Sequence, residues 1–315
     1  MSLVASGAFA RLIPASFVSP GFYAKAMPPF ARYNSDSPPR SATAMRLPIA
    51  CRLLPALLSA CCAAAPRTVT ILTDNGYPPY SYEAAGEARG IYNDILRAAS
   101  ERLRGFRIEL KPVPWKRGLA ELEAGRALAL SPPYYRPRDR PFMQPYSTPM
   151  LKEKVVVYCR TAVMGRPRPA WPDDYQGLRF GSNAGFRLGG DAFWALIGLN
   201  RIMLEEAPDA RTNLMKVIRG HLDCYLNDKL SIDLELARLQ QQGLYRESEL
   251  REAATVSEEQ GYVGFTDRDG GRFPYKQGFL RELNQALSAM KRDGSVDRIV
   301  GRALEAARTQ PPSSF

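Results

Sequence analysis

Apolar and polar positions along residues 67–305 follow two periods in turn, one near two residues and one near 3.6. Short apolar runs at 69–73 and 107–113 read as strands. Between them, the segment 92–103 with its flank places Ile91, Ile95, Leu96, Ala99 and Leu103 on one face, the stripe of an amphipathic helix. Trp115–Glu123 repeats the helical spacing and stops at Gly125, a residue suited to a helix C-terminus. Residues 127–130 form the next apolar run. Pro132 and Pro133 end it, because proline has no donor for the ladder. After a β-branched run at 154–159, a second series begins. It predicts strands at 178–182, 201–205, 223–226 and 261–266, with helices at 192–199, 211–219 and 229–242. Helices at 274–290 and 296–307, separated by Gly294, close the pattern. Strands alternating with helices predict an α/β fold of mostly parallel sheet with helices on both faces. No internal repeat or heptad array is visible.

Composition narrows the function classes more than the fold. The 315 residues suffice for one large domain or two ordinary ones. Apolar content of 45% with 24% charged residues is globular composition. The formal net charge is +11, of which residues 1–65, with six basic side chains and one acid, carry +5. The remaining +6 reads as a solvated arginine-rich surface. No basic run of five or more residues occurs, which argues against a nucleic-acid partner. A single histidine, His221, argues against a histidine-based metal site and against a Ser-His-Asp triad. His221 is expected to cap a turn or face solvent.

Residues 45–65 look like an export signal. Arg46 and Arg52 supply the positive front, and 53–65 is an apolar core too short to span a bilayer as a mature helix. Translation is therefore expected to start at Met45. Residues 1–44 then lie outside the native protein; the competing reading is that they are a real, disordered extension. Leu58-Ser59-Ala60-Cys61 looks like a bacterial lipobox, which makes Cys61 a candidate lipidated first residue. Plain cleavage after Ala64 or Ala65 is the equal alternative. Beyond the signal only Cys159 and Cys224 remain, and an exported pair suggests a disulfide. Two buried free thiols are the other reading.

Seven segments, in order, carry a resemblance. They are VTILTDNGYPPYSY at 69–82, GIYNDIL at 90–96, PW at 114–115, DRPFMQPYS at 139–147, GHLDCYLND at 220–228, QGYVGFT at 260–266 and ALSAMKRDGSVDRIV at 286–300. Together they resemble family 3 of the bacterial extracellular solute-binding proteins, the amino-acid receptors of ABC importers, over roughly 67–305. The resemblance implies a two-lobed periplasmic-binding-protein clamp. Each lobe is a mostly parallel sheet flanked by helices, and two crossover hinge strands near 154–158 and 260–265 join them. Residues 66–153 with 261–310 would form lobe 1, and 154–260 lobe 2. Such a clamp closes on its ligand by hinge motion.

The same resemblance assigns candidate ligand residues. Arg140 takes the position that grips a ligand carboxylate, a task suited to the planar guanidinium fork. Arg136 and Arg138 are expected to face solvent. Asp228 takes the position that binds an α-ammonium, while its residue type equally suits an N-cap for the helix beginning at Lys229. Tyr77, Tyr80 and Tyr82 follow the first strand, where the family places stacking aromatics, and one or two of them could instead be core. Trp115 either lines the cleft or packs in the core at a helix start. Tyr135 joins the arginine-rich loop past the strand at 127–130. Gly185, Phe186 and Arg187 stand where the family often has Gly-Thr. Phe186 would narrow the cleft, and Arg187 would select an acidic group.

The expected function is an exported, periplasmic substrate-binding protein, with Cys61 as a candidate anchor to a membrane. It would hold a small polar solute, an amino acid or derivative, and deliver it to an ABC permease in the inner membrane. A monomer without cofactor, metal or catalytic residue is expected. Two alternatives stay open: a dehydratase-type enzyme on the same fold, and a ligand-binding partner of a sensor. The dehydratase reading requires a perturbed carboxylate in the cleft.

Overall fold

The computed structural model describes residues 65–309. The expected extension over 1–44, the signal segment up to Ala64 and Cys61 lie outside the described residues.

Strand β1 (Arg67–Asp74) buries Val69, Ile71 and Leu72 and ends on a buried aspartate. A small antiparallel sheet follows, made of β2 (Gly76–Tyr77), β3 (Ser81–Ala84) and β4 (Glu87–Arg89). Helix α1 (Ile91–Ser100) buries Ile91, Tyr92, Ile95, Leu96 and Ala99, the stripe that its sequence displays. Strand β5 (Phe106–Val113) pairs with β1 in parallel, and α2 (Trp115–Glu123) returns the chain to β6 (Ala129–Ser131), parallel to β1 on its other side. Strand β7 (Met143–Tyr146) completes the outbound path through lobe 1.

The chain then crosses into lobe 2 along β8 (Leu151–Arg160). Strand β9 (Arg179–Asn183), helix α3 (Gly190–Gly198), β10 (Met203–Ala207), α4 (Ala210–Ile218), β11 (Cys224–Asp228) and α5 (Lys229–Gln241) build this lobe. Asp209 caps α4 by accepting the Thr212 N–H at 2.7 Å. The long strand β12 (Leu250–Gly261) runs back beside β8. In lobe 1 again, β13 (Gly264–Thr266) enters the first sheet, and α6 (Lys276–Arg292) and α7 (Ser295–Thr309) pack against α1. The sheet orders are β5-β1-β6-β13-β7 and β10-β9-β11-β8-β12. In each, the first three strands are parallel and the crossover side is antiparallel. Each sheet has its own core: Val69, Ile71 and Phe265 with α1 and α6 in one, Phe180, Phe193 and Val157 in the other.

The expected single strand at 261–266 is two strands in two sheets, because the chain passes between lobes at 262–263. Two antiparallel crossovers, β8 and β12, join the lobes, tied at the lobe 1 end by Met150 N–H to Gly261 O at 2.8 Å. Gly261 is required there, since a Cβ would lie 1.9 Å from the Tyr92 hydroxyl oxygen.

Cys159 and Cys224 face each other across β8 and β11 and are joined by a disulfide over a separation of 65 residues. Closing a loop of that length removes about 4 kcal/mol of chain entropy from the unfolded state in the loop-closure model. Reduction is therefore expected to lower the urea midpoint clearly. An unchanged midpoint with fully alkylated thiols would contradict it.

Candidate functional site

The cleft gathers at the carboxyl ends of parallel strands, where the strand-to-helix turns of both lobes point inward. β1 delivers Asp74, β2 delivers Tyr77, α2 begins with Trp115, and the loop after β6 carries Pro132, Tyr134, Arg136 and Arg140. From lobe 2 the turn after β9 delivers Phe186, Arg187 and Leu188. These residues line one cavity of about 30 Å³.

Arg140 is 7% exposed. Its guanidinium lies 5.3 Å from the Trp115 ring centroid, and its Nη2–H donates to Gly185 O at 3.1 Å. Among the described residues it forms no ion pair with a carboxylate. Burial pulls its pKa down to about 10, with Arg136 and Arg187 adding to the same direction. Asp74, 3% exposed, is the opposite case. Its Oδ1 accepts the Gly76 N–H at 2.9 Å, and no cationic side chain among the described residues pairs with it. Burial raises its pKa to about 7, partly offset by the Gly76 and Asn75 N–H groups. One cavity thus holds a guanidinium lacking a carboxylate and a carboxylate lacking a cation.

Behind the cavity wall stands a second buried acid. Glu153, near the start of β8, accepts the hydroxyls of Tyr77, Tyr92 and Tyr134, the last at 2.6 Å. Burial and then the charge of Asp228 raise its pKa to about 8, against the three phenol donors. Tyr77 and Tyr134 line the cavity, so Glu153 fixes two of its walls from behind.

The candidate residues divide accordingly. Tyr77, Trp115, Arg140, Phe186 and Arg187 line the cavity. Gly185 borders it, with φ +79, and a Cβ there would meet Lys116 Cγ at 2.9 Å. Arg187 pairs with Asp139 at 2.7 Å and lies over Trp194. Arg136, expected in solvent, instead lines the cavity and pairs with Glu259, while Arg138 is exposed. Tyr80 is buried against Tyr77 and Tyr92 and hydrogen-bonds Asp228. Tyr82 is half-buried outside the cavity lining, in β3. Tyr135 is 56% exposed and packs on Tyr146 and Tyr262 outside the cavity.

Asp228 is buried and fully engaged by the protein. It caps α5 by accepting the Ser231 N–H at 3.0 Å, takes the Lys154 N–H at 3.1 Å, and takes the Tyr80 hydroxyl. Burial raises its pKa to about 6 in spite of these donors. Asp74 and Glu153 were missed in the sequence, while Tyr134 belongs to the aromatic and arginine-rich cluster past the strand at 127–130. Asp74 carried a signal, an acid closing an apolar strand at its carboxyl end, and Glu153 a weaker one in its strand parity with Val155 and Val157.

Among the described residues there is no cluster of histidine, cysteine and carboxylates that could hold a metal, and no helix long and apolar enough to cross a membrane.

Comparison with solved structures shows the fold. A histidine kinase sensor domain similar to periplasmic binding proteins superposes with a TM-score of 0.61 at 17% identity, covering 76% of this chain and 96% of that one. A mutant of ArgBP from T. maritima gives 0.59 at 16% identity, covering 76% and 95%. An ancestral amino acid-binding protein, a precursor of cyclohexadienyl dehydratase, gives 0.55 at 17%, covering 75% and 94%. No curated protein matches the chain. The family model that does match extends over residues 69–305, from the first strand to the last helix, and the chain belongs to the bacterial extracellular solute-binding proteins, family 3.

Proposed function

We propose that this protein is the periplasmic substrate-binding component of an ABC importer, and that it binds a small zwitterion, an amino acid or derivative, between its lobes. The observation that carries this is the pair of uncompensated opposite charges, Arg140 and Asp74, facing one cavity. A ligand carboxylate would take the guanidinium as a two-pronged hydrogen-bonded pair. A ligand ammonium would take Asp74, while Tyr77 and Trp115 would enclose its side chain. Asp74 replaces Asp228 as the expected ammonium partner, because the acceptor positions of Asp228 serve the α5 cap and the hinge. The proposed partner is an inner-membrane permease.

The test is a thermal-shift panel of common amino acids, polyamines, organic acids and cyclic dipeptides. A ligand at one hundred times its dissociation constant adds about 2.7 kcal/mol of stability. One class of amino acid is expected to stabilise, and its deaminated and decarboxylated analogues are not. Equal shifts from the analogues would sink the zwitterion assignment. Binding is also expected to strengthen as pH rises through about 7, where Asp74 ionises. Below that value affinity should fall roughly tenfold per pH unit, since each unit costs about 1.4 kcal/mol.

A second reading draws on the same aspartate. A carboxyl with a pKa of about 7, inside a cavity with an arginine, is a proton donor at neutral pH. That is the perturbed carboxylate a dehydratase-type enzyme requires. Turnover of prephenate or arogenate would establish it, and no product after long incubation would remove it.

A further inference from the structure

The turn at Gly185–Phe186–Arg187 engages lobe 1 in the way a ligand would. The Gly185 carbonyl accepts Arg140 Nη2–H at 3.1 Å and Trp115 Nε1–H at 3.3 Å. The Phe186 ring stands edge-on to Tyr77, centroids 5.2 Å apart, and to Trp115 at 6.0 Å. Phe186 is half-buried and packs against the α1 core, the lobe 2 core and the cluster around Trp115 at once. An acceptor on the carboxylate-type arginine and an apolar group between the aromatic walls are the two things a bound amino acid would supply. With the turn in place the cavity keeps about 30 Å³, space on the scale of a water molecule or two.

We propose that this turn is a built-in occupant of the cleft. It holds the lobes closed in the absence of solute, and an incoming solute must displace it. Phe186 sets the strength of that competition. Two ion pairs also span the lobes, Lys116 with Glu206 and Arg187 with Asp139. Their side chains are substantially solvated, and exposed pairs of this kind contribute little. Nearer the hinge, Ser231 Oγ–H donates to Pro78 O at 2.8 Å and the Tyr80 hydroxyl to Asp228. At the cavity itself the half-buried Phe186 ring is the main apolar closing contact.

Small-angle scattering from the full chain, without added solute, tests this independently of what the protein binds, so its failure is separate from failure of the receptor reading. Wild type is expected to have one radius of gyration at low and high salt. Phe186→Ala is expected to raise it, Phe186→Leu to raise it less, and Phe186→Trp to leave it unchanged. Circular dichroism identifies any variant that is unfolded, and the comparison then rests on the Leu and Trp variants. A wild-type protein that expands on adding salt would place the closing force in the ion pairs and overturn the proposal. So would folded Ala and Leu variants as compact as wild type.

Discussion

Arg140→Ala is expected to abolish measurable binding of a carboxylate-bearing solute while the chain keeps its fold. A buried, charge-assisted pair typically loses about 3–5 kcal/mol when one partner is truncated. That corresponds to a hundred-fold to several-thousand-fold weaker binding. The folded state should tolerate the change. Arg140 is buried without a carboxylate, and its lowered pKa marks a charge that the fold holds at a cost. Removing it leaves a cavity beside Trp115 but relieves that desolvation. Calorimetric titration with the best solute from the panel, alongside thermal melts, checks both parts. A variant that binds as tightly as wild type would remove the carboxylate assignment. A variant that fails to melt cooperatively would make Arg140 structural.

The second large effect is on stability against pH. Burial raises the pKa of Glu153 to about 8, Asp74 to about 7 and Asp228 to about 6. Their ordinary values, which apply to the unfolded chain, are 4.5 for Glu and 3.8 for Asp. Between these limits the folded state holds more protons than the unfolded one, so stability falls as pH rises from about 4 to 8. Glu153 alone contributes on the order of 4 kcal/mol to that fall. Groups of the opposite kind, such as Asp223 beside Arg179, have lowered values and cost stability only in more acidic solution. The maximum is therefore expected near pH 4–5. Glu153→Gln should flatten the slope and exceed wild type at pH 8. Urea midpoints from pH 4 to 8.5 measure this. A wild-type midpoint that climbs across the range would mean that Glu153 is ionised and stabilised in the fold, contrary to its burial beside Asp228.

The two halves of that picture were legible to different degrees. Helix α2 begins and ends at the residues its spacing indicates, Trp115 and Glu123, because local apolar period and Gly125 decide it. Strand β12 left almost no trace. It buries only Leu250 and Gly261, and two register shifts break its alternation. Glu153 sits in Lys152-Glu153-Lys154, which reads as solvated charge. Its strand parity with Val155 and Val157 was the one hint that it points inward.

By itself the sequence determined the order of elements, the α/β class and the family resemblance, and it singled out Arg140 as a candidate. These follow from local period, from proline and glycine punctuation, and from residue types whose chemistry is specific. Tertiary structure alone decided which charges are compensated. Asp228 and Asp74 both close a strand at its carboxyl end, yet one meets three donors and the other faces the cavity. Likewise Phe186 is an apolar residue in a turn until two lobes bring Tyr77 and Trp115 around it. Burial and pairing are properties of groups far apart in the chain, and no local pattern encodes their distance.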